Sequence, residues 1–118
     1  MQMVQLALAP TPYASKLQEA LLRDRAFQGC QVLPVRMPDP KKNGVIVVDA
    51  LDRLTFPLQN PERVVLITHK DPEQLGRAWN AGIVSVVYDS EPVSTAMLAV
   101  LAARFRAAKL ERSMEPGR

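Results

Sequence analysis

The sequence predicts an α/β domain: a five-stranded parallel sheet, doubly wound, with helices on both faces. Three observations predict it. Several short apolar runs are continuous rather than alternating, which means that both of their faces are covered, as in a central parallel strand. Segments with helical periodicity lie between them. The two kinds of segment alternate along the chain, and with right-handed crossovers that alternation leaves a small doubly wound sheet. At 118 residues the chain has room for one such core.

The elements follow in order. Met3 to Ala9 is the first apolar run. Tyr13 to Arg25 sets Leu17, Ala20, Leu21 and Leu22 on one helical face and Lys16, Glu19, Arg23 and Asp24 mostly on the other. Gln31 to Val35 is a weaker strand, and Pro34 removes a ladder donor from it, so it belongs at a sheet edge. Gly44 to Asp49 and Arg63 to Thr68 are β-branched runs bounded by turn residues. Between the second and third strands, Arg36 to Asn43 holds two prolines and no helical period, so a helix there is shortened or absent. Between the third and fourth, one or two helical turns fit around Leu51 to Phe56. Asp71 is an N-cap with Pro72 at the first helical position, and that helix carries Leu75, Ala78 and Trp79 before Gly82 ends it. Trp79 reads as a core or rim anchor and Cys30 as a small buried side chain. Val84 to Tyr88 is the fifth strand. The last helix starts after Pro92 and runs to about Arg112, capped by Ser94 or with Glu91-Pro92 as its first turn.

Composition narrows the function. One cysteine and one histidine exclude a disulfide framework, a cysteine zinc cage and a histidine-rich metal site. No run reaches the length of a membrane span and no signal peptide is visible at Met1 to Pro10, so the expected location is cytoplasmic, with no membrane partner. The net charge of +3 falls on residues 104–118, because residues 1–103 hold equal numbers of basic and acidic side chains. A balanced body with a basic end reads as a neutral domain leading into a linker, with the domain set at residues 1–110 and a charged tail at 111–118. Direct nucleic-acid binding by the domain is not expected.

Ligands of open α/β sheets sit at the carboxyl ends of the strands. There the chain has Ala9-Pro10-Thr11-Pro12, Asp49, Thr68-His69-Lys70-Asp71 and Tyr88-Asp89-Ser90-Glu91. No glycine-rich phosphate loop and no Gly-x-Ser-x-Gly elbow is present. Thr68 and His69, adjacent at a strand end, point to opposite faces and make no nucleophile–base pair. His69 reads as a loop histidine.

These strand ends resemble the receiver domain of two-component response regulators, over about residues 3–109. Asp49 matches the phosphoacceptor position, and Thr68, in Val-Leu-Ile-Thr, matches the hydroxyl switch position. Ala81-Gly82, a strand, Glu91-Pro92 and a long helix match the segment that follows. The resemblance implies a flavodoxin-like strand order 2-1-3-4-5, as in chemotaxis regulators. It also exposes departures. The acidic pair that holds magnesium in the family reads Ala9-Pro10 here, and a single carboxylate is a poor magnesium cage, so no metal or other cofactor is expected. The family's lysine falls on Asp89 or Glu91, depending on the anchor, and an acid there repels a phosphoryl group. The aromatic switch falls on Val86 or Tyr88.

The expectation is a pseudo-receiver: a non-catalytic signalling domain in which Asp49 is a structural carboxylate. The excess apolarity of the last helix, with Met97, Ala99, Val100 and Ala103, fits a protein partner or a homodimer through the family's helix 4, strand 5 and helix 5 surface. A fused output domain that binds DNA fits the same resemblance. Two alternatives stay open: a weakly phosphorylatable receiver using Asp49, and a small-molecule sensor at the strand ends near Asp49, Thr68 and Tyr88.

Overall fold

A computed structural model describes residues 2–113. Five strands form one sheet: β1 (Met3–Ala7), β2 (Gln31–Pro34), β3 (Gly44–Val48), β4 (Val64–Thr68) and β5 (Ser85–Tyr88). Their order is β2-β1-β3-β4-β5 and every pairing is parallel. This is the doubly wound, flavodoxin-like order. The chain reverses its direction of winding at β1, which lies between β2 and β3, so the sheet has its topological switch point at the β1 and β3 ends. Pro34 sits on the edge strand, where its missing N–H costs no ladder bond.

Alternate residues of each strand feed two separate cores. Val4, Leu6, Val45, Val47, Val65, Ile67 and Val87 point to one face. That face is covered by α1 (Pro12–Arg23) and α3 (Val93–Ser113) through Leu17, Leu21, Ala96, Val100 and Ala103. Ala7, Ile46, Val48, Val64 and Leu66 point to the other face and meet Leu51, Ala78 and Ile83. There the only α-helix among the described residues is the nine-residue α2 (Pro72–Asn80), with Ala78 its one buried residue.

The helix ends follow the sequence. Thr11 Oγ1 accepts from Ala14 N–H, and Asp71 Oδ1 accepts from Glu73 and Gln74 N–H. Gly82, at φ 85°, ends α2 in the left-handed region. Gly44 opens β3 at φ 111°, and a Cβ there would stand 2.0 Å from the Met3 carbonyl oxygen, so only glycine lets β3 start against β1.

No helix forms between β2 and β3. Residues 35–43 lie across the second face as irregular chain, held by two buried polar side chains that the sequence does not announce. Gln5, 2% exposed in mid-strand, donates from Nε2 to Asp39 O and accepts from Asp39 N–H at Oε1. The Arg63 guanidinium, 8% exposed, donates to the carbonyls of Pro40, Lys42 and Gly44. Between β3 and β4 the expected helical turns are 3-10 turns at Leu51–Arg53 and Pro61–Arg63.

Three sequence expectations are corrected here. Trp79 is no anchor: it is 80% exposed on the outer side of α2. Ser94 does not cap α3, because the helix already includes Val93. Val100 and Ala103 are fully buried against the sheet, so they cannot present a surface to a partner; Met97 and Ala99 are half-buried and pack against the same core.

The charged tail also reads differently. Arg104 donates to the Ala26 carbonyl and lies over the Phe27 ring, and Arg106 donates to Glu62 O and Ser85 Oγ. With Lys109 they supply the whole excess of positive charge, since residues 110–118 balance. Arg104 and Arg106 thereby bind α3 to the domain itself. The α3 backbone continues to Ser113, and residues 114–118 of the expected linker lie outside the described residues.

Candidate functional site

The carboxyl ends of β1, β3, β4 and β5 surround a cavity of about 470 Å³. Its floor includes Leu8, Ala9 and Ile67, and its rim carries Thr11, Tyr13, Asp49, Thr68, His69, Asp71, Gln74 and Asp89. The cavity lies at the strand ends that the sequence marks out. What each side chain does there is set by its partners.

Asp49 follows β3 at the switch point. Its Oδ2 accepts from Ala9 N–H at 2.7 Å, and its Oδ1 accepts from Arg53 Nε–H at 2.8 Å. Arg53 also donates from Nη1 to the Arg36 carbonyl. Both carboxylate oxygens are therefore engaged by the chain, one by the loop after β1 and one by a guanidinium. Charge-assisted hydrogen bonds of this kind are among the stronger ones. Arg53 was not singled out from the sequence, although its spacing of four residues from Asp49 is a readable pairing signal.

Thr68 ends β4, with its side chain on the α2 face. Its Oγ1 accepts from Gln74 Nε2–H, and Gln74 Oε1 in turn accepts from Leu51 N–H at 3.3 Å. Gln74 thus ties the end of β4 to the turn that follows β3. It too was missed. Asp71-x-x-Gln74 has the spacing of a capping box, but the glutamine reaches across to the neighbouring strand end instead.

β5 runs beside β4 with Val86 opposite Leu66 and Tyr88 opposite Thr68. Val86 packs into the α2-side core, while Tyr88 is half-buried beside Thr68. At the position of the family's lysine the two acids are both occupied. Asp89 Oδ2 lies 2.7 Å from His69 Nδ1, and Glu91 Oε1 accepts from Tyr88 N–H at 2.9 Å. His69 and Thr68 thus have different partners, as their opposite orientations require, and form no nucleophile–base pair.

Tyr13 closes the α1 side. Its hydroxyl is buried and has no hydrogen-bond partner among the described residues. Burial pushes its pKa above the ordinary value, and the negative charges of Glu91 and Asp89 push it further in the same direction. The phenol therefore stays protonated at neutral pH.

No group of three or more His, Cys, Asp or Glu side chains among the described residues is placed to hold a metal ion. No helix among them is long and apolar enough to cross a membrane.

Fold and site together define a doubly wound α/β domain whose strand-end polar groups are mostly bonded to one another. No protein-family model, curated protein or solved structure matches the chain.

Proposed function

We propose that this chain is a receiver-like signalling domain that does no chemistry and acts through protein contacts, a pseudo-receiver of the response-regulator type. The observation that carries the reading is the capture of both Asp49 oxygens, by Ala9 N–H and by Arg53. An aspartate that accepts a phosphoryl group needs a free oxygen for in-line attack and a divalent ion to neutralise the developing charge. Here a guanidinium sits where a cation is wanted, fixed to the protein, and the place of the acidic pair is Ala9-Pro10. At the β5 end the fixed charges nearest the site are Asp89 and Glu91, which repel a phosphoryl group.

The domain belongs in the cytoplasm, as the regulatory part of a regulator with an output domain, one that binds DNA in the simplest case. The engagement of Arg104 and Arg106 with protein acceptors supports contact with protein rather than direct contact with nucleic acid.

The test is intact-mass analysis after incubation with acetyl phosphate and magnesium. The expected result is no phosphoryl adduct. An adduct abolished by Asp49→Asn would establish the alternative, a phosphorylatable receiver. The cavity of about 470 Å³ favours one second reading, a small-molecule sensor at the strand ends. A reproducible thermal shift in a metabolite screen, lost in Tyr13→Ala, would support it.

A further inference from the structure

α3 is a 21-residue helix, about 31 Å long, and it is apolar on two opposite sides. Ala96, Val100, Ala103 and Ala107 form the stripe that lies on the sheet. Leu98 and Phe105 stand about 180° around the helix from that stripe and are 68% and 62% exposed. Leu101, half-buried, and Ala102, exposed, lie between them. A helix covering one side of a sheet needs a single apolar stripe; two opposite stripes call for a second layer.

We infer that the outer stripe pairs with the same stripe of a second copy of this chain, the two α3 helices running antiparallel. This names the contact surface for the protein-contact reading above and rests on it. Self-complementarity selects the second copy. A two-fold axis passing between Leu101 and Ala102 sets Leu98 opposite Phe105 of the second copy and Leu101 opposite Ala102 of the second copy. Every apolar position of the stripe then meets an apolar position, in the isologous manner of a C2 dimer.

Charge selects the direction. The start of α3 follows Asp89 and Glu91, and its second half carries Arg104, Arg106 and Lys109. In the antiparallel register Lys109, exposed on α3, falls opposite Ser94 of the second copy, one helical turn from that copy's Glu91. A parallel pair would instead bring the basic ends together.

Sedimentation equilibrium on the full chain in a Cys30→Ser background tests the surface. The wild-type surface gives a dimer at micromolar concentration, and Leu98→Glu weakens it about a hundredfold, since each of the two copies loses one buried leucine. Circular dichroism stays unchanged because Leu98 is exposed. Disulfide formation under mild oxidation, which joins only directly opposed cysteines, tests the register. Leu98→Cys mixed with Phe105→Cys yields covalent dimers, and Leu98→Cys alone does not. A wild-type chain that stays monomeric at high micromolar concentration overturns the surface. Efficient cross-linking of Leu98→Cys alone overturns the antiparallel register. Both readouts are independent of whether Asp49 accepts a phosphoryl group, so failure here is distinguishable from failure of the pseudo-receiver reading.

Discussion

The two faces of the sheet are covered by different means. On one, α1 and α3 lay apolar stripes on Val4, Leu6, Val45, Val47, Val65 and Ile67. On the other, one short helix is supplemented by irregular chain, and polar side chains fasten that chain: Gln5 to Asp39, Arg63 to three carbonyls, Arg53 to the Arg36 carbonyl. The lesson is that loss of a helix from a doubly wound sheet need not leave it bare. Buried side chains that satisfy loop carbonyls can hold irregular backbone against it, provided every buried polar group finds a partner.

The largest effect is expected on the helical face. Leu17→Ala empties a fully buried site and costs about 3 to 4 kcal/mol in a urea melt. Next comes the other face. Arg63→Met keeps the stem but strips three carbonyls of their shared donor, and costs about 2 to 3 kcal/mol. A cost under about 0.5 kcal/mol would mean that the 35–43 segment is held by something else, and the comparison between the faces would fail.

Asp49→Asn is smaller again, about 1 kcal/mol, because one oxygen and the charge on it are lost while one bond can persist. The smallest concerns Tyr13. Its hydroxyl has no partner, so Tyr13→Phe is neutral within about 0.5 kcal/mol near pH 7. Its pKa is raised from 10.0 in the folded chain, so the folded state holds that proton more tightly than the unfolded state. Stability therefore falls as pH rises past 10.0, and Tyr13→Phe removes that part of the fall. Chemical melts on both proteins across that range check the sign.

This division also sets what the sequence makes legible. All five strands, the Pro34 edge, the Asp71 cap and the Gly82 stop were readable, because apolar period and turn chemistry are local. So was the position of the strand-end cavity, since strand ends follow from strands. The ties were not. Arg63, Gln5 and Gln74 bond to backbone or side chains 6 to 34 residues away, and nothing in their own neighbourhood marks those partners. α3 shows the limit of periodicity itself. With apolar residues all round, Val100 and Ala103 read as surface as readily as Leu98 and Phe105, and only the packing separates them.

The central claim is that the strand-end site is closed to phosphoryl chemistry by the chain's own bonds. Backbone amide spectra recorded while beryllofluoride and magnesium are titrated in test it most directly. The account predicts no saturable shift at Ala9, Asp49, Thr68 or Tyr88. Saturable shifts at those four amides, absent in Asp49→Asn, would contradict it.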